Sequence, residues 1–464
     1  MLRDYNLGEV NEKLVGKKIR LCGWVDVIRE HGKVIFLNLR DRYGKIQSVI
    51  VKSNDDFDKA KRLTRESCVL VEGEVNKRPK GTENKDMESG KVELFINKLD
   101  VLSECKPLPF EINEDIENED LRLKYRFLDL RSSRMQKNLI LRSDTLRAVR
   151  DFFHDEKFVE VETPILAKST PEGARDYIVP SRNFKGKFYA LPQSPQLFKQ
   201  LSQVAGLDRY VQIARCFRDE DLRSDRQPEF TQVDVEMSFI EQDDIIEVIE
   251  KMLAYVFKKA LNVEIKTPFK RISYDEAMKE YGNDAPDLRK DKTNKNEFAF
   301  CWVVDFPLFE YSKEDKRHKS VHHPFTMPKV GKNKLDFNDK SKSVAYDVVL
   351  NGVEIGGGSV RIHDSEIQEK IFDILKISKR EARDKFGFLL DALSFGAPPH
   401  GGIALGFDRL IQIMAGEDSI REVIAYPKNK EARDVMLDAP SEVDGKQLKE
   451  VGVGVEKKKG GKKK

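Results

Sequence analysis

Phe217-Arg-Asp-Glu-Asp-Leu-Arg-Ser-Asp-Arg-Gln-Pro-Glu-Phe-Thr-Gln-Val-Asp234 decides the reading of this chain, together with Gly401-Gly-Ile-Ala-Leu-Gly-Phe-Asp-Arg-Leu410. The first stretch reads as strand, charged loop and returning strand, with Phe230-Thr-Gln-Val-Asp234 resuming the alternation. The second is glycine-rich, which permits close backbone approach, and Arg409 then opens a helix. A guanidinium keeps its charge at any physiological pH and forks onto phosphate oxygens two at a time. A lone arginine in either place would be read as a surface ion pair. Arg218 and Arg409, each in such a setting, point instead to a bound polyanionic nucleotide. That site must be built by an unusual route, because the chain has neither a G-x-x-x-x-G-K-(S/T) loop nor a G-x-G-x-x-G turn.

Composition narrows the class. The 464 residues, 39% hydrophobic and 35% charged, suffice for two or three domains with a large core. No apolar run approaches the roughly 20 residues of a membrane span, and Met1-Leu-Arg-Asp-Tyr-Asn6 has no signal-peptide core. Cys22, Cys68, Cys105, Cys216 and Cys301 are scattered, odd in number and never C-x-x-C. They argue against a disulfide framework or a zinc site and fit a reducing cytoplasm. A net charge of +3 excludes a generic polycation. The lysine-rich end, Glu456–Lys464, reads as a solvated tail, with an RNA-attracting arm as the alternative.

Working outward, residues 1–104 are expected to be all-β. Strands are predicted at Ile19–Ile28, Val34–Leu39, Ile46–Val51, Cys68–Val75 and Val92–Leu102, with a helix over Asp56–Arg65. Five strands with one helix after the third match the OB-fold. Residues 105–120 form a Pro-rich, then acidic linker. Helices are predicted over Leu121–Arg134 and Leu139–Lys157. The irregular alternation from Phe158 to about Pro440 predicts an α+β domain, residues 121–440, on an antiparallel sheet flanked by helices. Residues 441–464 form a C-terminal extension, and Lys290–Glu297 is a plain polar loop.

Three further segments carry polar chemistry. Phe158-Val-Glu-Val-Glu-Thr-Pro-Ile-Leu166 reads as an edge strand ended by Pro164. Asp347 and Glu354 sit on two strands joined by the turn dipeptide Asn351-Gly352. Hard carboxylates of this kind suit Mg²⁺, although alone they would read as two surface acids. The pair His322-His323 reads as metal-binding or as loop filler.

Taken together, these segments resemble motifs 1, 2 and 3 of the class II aminoacyl-tRNA synthetases, and Arg223-Ser-Asp-Arg-Gln-Pro-Glu-Phe230 resembles the aspartyl enzymes among them. The resemblance implies ATP contacts from Arg218, Asp219, Glu220, Arg223, Gln227, Phe230, Glu354, Gly406, Phe407, Asp408 and Arg409. In detail, Arg218 would bridge the amino-acid carboxylate and the α-phosphate, Glu220 would meet the adenine amino group, and Phe230 would stack on the ring. Arg409 would reach the γ-phosphate. It further implies Mg²⁺ on Asp347 and Glu354, and L-aspartate held by Glu172, Gln196, Lys199, Arg218, Asp234, His322 and Arg361. Arg361 would take the substrate side chain in a bidentate pair, which an asparagine amide cannot form. A homodimer through Phe158–Leu166 is implied as well.

By the same resemblance the OB module would read the tRNA anticodon through Arg29, Phe36 and Gln47. His31 and Gly81 resemble members that charge both tRNA(Asp) and tRNA(Asn). The wording is closest to the bacterial branch, whose members usually carry a large inserted domain where this chain has only Lys290–Glu297. The implied activity is a cytoplasmic aspartate–tRNA ligase. The alternatives are a ligase strict for tRNA(Asp), an asparaginyl enzyme, a tRNA-independent amide-forming paralogue, and an RNA-binding protein with an inert synthetase body. Lys199 with Arg361 argues against the asparaginyl enzyme, the OB module against the paralogue, and the presence of Arg218 and Arg409 against inertness.

Overall fold

The computed structural model describes residues 1–169, 173–314, 316–331 and 333–455, which form two compact units. One comprises Met1–Glu117 with Phe127–Ser132; the other comprises Asn118–Arg126 and the chain from Ser133 onward.

In the first unit, β1 (Lys18–His31), β2 (Val34–Arg40), β3 (Lys45–Val51), β4 (Cys68–Lys77) and β5 (Val92–Ser103) close a barrel in the order β1-β2-β3-β5-β4. Alternation builds it. Along β2, Ile35, Leu37 and Leu39 are buried in the core while Phe36 and Asn38 face outward. The pairing is antiparallel except where β3 and β5 close the barrel in parallel. With a helix at Phe57–Lys61 after the third strand, this is the expected OB-fold. The helix is shorter than expected, because the amides of Arg62 and Leu63 bond back three residues to Lys59 and Ala60 and tighten the last turn.

The second unit contains β6 (Val159–Glu160), β7 (Ile178–Pro180), β8 (Phe188–Ala190), β9 (Arg209–Phe217), β10 (Glu229–Ser238), β11 (Lys270–Ser273), β12 (Phe300–Val304), β13 (Phe309–Ser312), β14 (Arg317–Ser320), β15 (Ala345–Leu350), β16 (Val353–Val360) and β17 (His400–Gly406). Eight of these form one sheet in the order β11-β12-β15-β16-β17-β10-β9-β6. It is antiparallel from β12 through β9, and parallel only at its two edges. This is the α+β architecture expected. The single helix expected over Leu121–Arg134 is broken instead. The helix Glu119–Lys124 ends where Tyr125 leaves helical geometry (φ −110°, ψ 39°), and the long helix runs over Ser133–Asp155.

That helix and Gln242–Leu261 pack on one face of the sheet against Val233, Val235 and Met237 of β10, Ile403 and Leu405 of β17, and Trp302. Side chains alternate across a strand, so the intervening Gln232, Asp234 and Glu236 project from the opposite face. They are buried there too, since the helix Gln196–Val204 covers them and Lys199 reaches Asp234. Among the described residues, no helix is long and apolar enough to cross a membrane.

Candidate active site

The polar face of β10 floors two adjoining hollows in the second unit. The first is lined by Arg218, Glu220, Gln227, Phe230, Glu354, Gly406, Asp408 and Arg409. Arg218 follows the last residue of β9, and its guanidinium lies 5.0 Å from the centroid of the Phe230 ring. The position is held from behind by the Gln193 carbonyl, which accepts from Arg218 Nε at 3.4 Å. Arg218 and Glu354 line the second hollow as well, so both chambers share these two side chains.

The second hollow is lined by Gln196, Lys199, Asp234, His322, His323, Asp347, Gly357 and Arg361. Its floor is a closed set of four charges. Lys199 Nζ stands 3.1 Å from Asp234 Oδ1 and 3.3 Å from Glu236 Oε2. Arg361 donates from Nε to Glu236 Oε1 at 3.0 Å and from Nη2 to Oε2 at 3.3 Å. All four side chains are buried. Burial alone would raise the Glu236 pKa, but Arg361 and Lys199 overcome it and hold the carboxyl below its ordinary value. For Asp234 burial prevails over Lys199, and its pKa is raised. Its Oδ2 is buried with no hydrogen-bond partner among the described residues.

Arg361 departs from expectation in one respect. Two further N–H groups go to Ser359 Oγ (2.8 Å, from Nη1) and the Gly402 carbonyl (3.3 Å, from Nη2). Of the five N–H groups of a guanidinium, one remains, on Nη1. The bidentate partner is therefore Glu236, and a ligand carboxylate can take only a single bond from Arg361. His323 supplies a second donor. Its Nδ1 accepts from the Phe325 amide at 3.3 Å, which places the proton on Nε2. Burial, reinforced by Arg361 and Lys199, lowers its pKa to about 3, so the ring is neutral.

His322 Nε2 lies 3.0 Å from Asp347 Oδ1. Burial opposes its protonation, yet the Asp347 charge raises its pKa above the ordinary value. Glu354 is raised by burial first and by Asp347 second. The two carboxylates converge over Gly357. A Cβ there would meet Asp347 Oδ1 at 2.5 Å and lie 3.8 Å from Glu354 Oε1. Two carboxylates sharing a buried corner form a hard-oxygen donor pair that fits a divalent cation. Among the described residues no group of three or more His, Cys, Asp or Glu could hold a metal. A cation here would complete its shell with phosphate oxygens and water, as Mg²⁺ does.

Other expected residues are placed differently. The ring of Phe407 is packed in the hydrophobic core under the Arg142 guanidinium (4.9 Å). Asp408 borders the first hollow, but its carboxylate accepts from the Thr231 amide at 2.7 Å and pairs with Arg142. Gln227 is tied to the Lys428 peptide by two bonds, 3.0 and 2.8 Å. Asp219 does not line the hollow; its amide bonds the Arg175 carbonyl at 3.0 Å. Arg223 is exposed, and Gln196 donates to Gln200 Oε1 at 3.0 Å. Glu172 and the lysine tail lie outside the described residues. Glu236 and Ser359 were missed by sequence reasoning, and His323 was read only with His322 as metal-binding or loop filler, although Gln232-x-Asp234-x-Glu236 carries the alternation that could have marked Glu236.

In the barrel, Arg29 pairs directly with Phe36 across β1 and β2, and Gln47 with Asn38 across β2 and β3, all on the outward face. The His31 ring meets Phe36 edge-on, with centroids 6.0 Å apart at 70°. Gln47 donates to Glu93 at 2.8 Å. Gly81 has φ +89°, a conformation that L side chains rarely adopt.

Similarity to known proteins agrees with this geometry. Residues 118–430 match the family "tRNA synthetases class II (D, K and N)", and residues 19–102 match "OB-fold nucleic acid binding domain". An aspartate–tRNA(Asp/Asn) ligase of Hydrogenobaculum sp. (strain Y04AAS1) is 44% identical, covering 97% of this chain and 99% of that one. The enzyme of the same name from Thermotoga neapolitana is 44% identical over 98% of this chain and 100% of its own. The Hydrogenobaculum alignment runs over 589 positions against 464 residues here, so part of that relative has no counterpart in this chain. Among solved structures, asparaginyl-tRNA synthetase of Pyrococcus horikoshii with asparaginyl-adenylate is 26% identical at a TM-score of 0.76, covering 92% of this chain and 98% of that one. This chain belongs to the class II tRNA synthetases, in the branch that groups the D, K and N enzymes.

Proposed function

We propose that this chain is an aspartate–tRNA ligase. It activates L-aspartate with ATP to aspartyl-adenylate and transfers the aspartyl group to the 3′ end of tRNA(Asp), and also of tRNA(Asn). The observation that carries this reading is the buried floor of Lys199, Asp234, Glu236 and Arg361 beside Arg218 stacked over Phe230. Arg361 Nη1 and His323 Nε2 present N–H donors to a substrate side chain. A carboxylate satisfies both, whereas an asparagine NH₂ would set donor against donor. Asp234 Oδ2 would accept from the substrate ammonium, a role its burial without a partner supports, and Gln196 would be a further contact.

Arg218, common to both hollows, reaches the amino-acid carboxylate and the α-phosphate at once. In-line attack of the carboxylate on the α-phosphorus then depends on positioning and on fixed positive charge, with no covalent enzyme intermediate. Phe230 offers the adenine a stacking face, and Glu220 and Arg409 bind the rest of the nucleotide. Asp347 and Glu354 would hold Mg²⁺, which neutralises phosphate charge when bound. Gln227, Asp408 and Phe407 would serve by positioning their neighbours, given their partners.

Residues 1–104 act as the anticodon module, 105–120 as hinge, 121–440 as catalytic domain and 441–464 as extension. The outward face bearing Arg29, Phe36 and Gln47 supports that role, and His31 packed on Phe36 supports a relaxed reading of the anticodon. A homodimer through motif 1 is supported by Val159, Ile165 and Leu166, exposed beside the edge strand β6. The cytoplasm, where tRNA is charged, is its proposed compartment.

The test is aspartylation of tRNA(Asp) and tRNA(Asn) transcripts side by side with labelled aspartate. Charging of both is expected. Charging of tRNA(Asp) alone would remove the relaxed specificity, and charging with asparagine in place of aspartate would overturn the substrate.

A further inference from the structure

Two residues of the nucleotide hollow are already paired, and their partners are neighbours on one loop. Arg409 Nη2 lies 3.1 Å from Asp225 Oδ2, and Glu220 Oε2 lies 3.1 Å from Arg226 Nη1. Asp225 and Arg226 belong to the connection between β9 and β10, and both line the hollow. The backbone that presents them is fastened. The Ser224 carbonyl accepts from the Ile420 amide (3.1 Å) and from Ser419 Oγ (3.0 Å), and the Arg226 amide bonds the Arg223 carbonyl (3.2 Å). The turn that carries Asp225 is thus anchored beside Arg409.

We propose that Asp225 is an intramolecular competitor for the triphosphate. Its carboxylate takes an N–H of Arg409 Nη2, while Nη1 donates to the Glu354 carbonyl, and a phosphate that forks onto the Nη2 edge must displace Asp225. The exchange is favourable, since phosphate oxygens carry more charge than one carboxylate and match the guanidinium fork. Asp225 therefore sets the affinity for nucleotides long enough to reach Arg409 and leaves shorter ones unaffected. The inference rests on the reading of Arg409 as a triphosphate ligand. The Asp225–Arg409 pair is partly exposed, so its release is worth a modest factor, about two- to five-fold in affinity.

The experiment is amino-acid-dependent pyrophosphate exchange with wild type, Asp225→Asn, Arg409→Ala and the double variant, with AMP as a competing inhibitor. Asp225→Asn keeps the shape and removes the charge. The expected result is a KM for ATP lower by about two- to five-fold, an unchanged inhibition constant for AMP, and no effect of Asp225→Asn once Arg409 is alanine. A KM for ATP that rises or stays the same overturns the inference. Equal tightening of ATP and AMP also overturns it, because that would report the general field of the hollow. If Arg409→Ala alone leaves the KM for ATP unchanged, the reading of Arg409 itself fails, whatever Asp225→Asn does.

Discussion

Arg361 and Glu236 form an ion pair closed to solvent, with Nε 3.0 Å from Oε1 and Nη2 3.3 Å from Oε2. Lys199 adds a second cation on Glu236 Oε2 at 3.3 Å and Asp234 a second anion, so the buried set is neutral. Replacing Arg361 by Leu leaves a net negative charge in the floor and is expected to cost about 3–5 kcal/mol of stability. Adding Glu236→Gln restores neutrality and should recover much of that loss, while aspartate activation stays absent in both variants. Thermal unfolding alongside pyrophosphate exchange checks this. A double variant no more stable than Arg361→Leu would show that the pair does not govern the floor.

The fold was legible because its signals are local. Alternation in Val34–Arg40 and Glu229–Ser238 marks strands, and Asn351-Gly352 marks the turn between β15 and β16. The division of labour inside the site was less legible because it depends on distant partners. Arg361 and Glu236 are 125 residues apart, and no local pattern announces that Glu236 takes the bidentate fork. Phe407 shows a second limit. It adjoins Gly406 in sequence, but the turn of the helix that begins there sends its ring into the core while Arg409 returns to the hollow.

His323 makes the protein acid-sensitive in a defined window. Its imidazole is held neutral down to about pH 3, whereas in the unfolded chain a histidine gains its proton near pH 6.5. Between those values the unfolded state binds more protons, so stability falls as pH falls, by up to about 1.4 kcal/mol per unit from this residue. Above about pH 6.5 both states are neutral and the dependence vanishes. His323→Asn keeps an acceptor for the Phe325 amide and removes the titration. Its melting temperature should fall less steeply on acidification, with the two profiles running parallel at neutral pH. His400, also depressed by burial, leaves a residual slope.

The corner formed by Asp347, Glu354 and Gly357 leaves no room for a methyl group. Gly357→Ala would place its Cβ 2.5 Å from Asp347 Oδ1 and push that carboxylate away from Glu354. Glu354→Gln removes one of the two hard donors. Both variants should raise the Mg²⁺ concentration needed for half-maximal pyrophosphate exchange, by on the order of ten-fold. Titrating Mg²⁺ at fixed ATP measures it, and an unchanged requirement would remove this pair as the cation site.

Phe36 stands on the outward face of the barrel with Arg29 directly opposite and the His31 ring edge-on at 6.0 Å. A base stacked on such a ring is worth about 1–3 kcal/mol, so Phe36→Ala should raise the KM for tRNA by about ten-fold or more. Amino-acid activation, which needs no tRNA, should be untouched. His31→Leu keeps an apolar contact on Phe36 and deletes the polar edge, so it should lower charging of tRNA(Asn) relative to tRNA(Asp). Gly81 is a harder substitution. At φ +89° a lysine there strains the turn, and Gly81→Lys should shift the loop as well as its chemistry. The ratio of kcat/KM for the two transcripts therefore reads His31→Leu cleanly. An unchanged ratio in that variant would take His31 out of anticodon selection and leave Phe36 as a stacking platform alone.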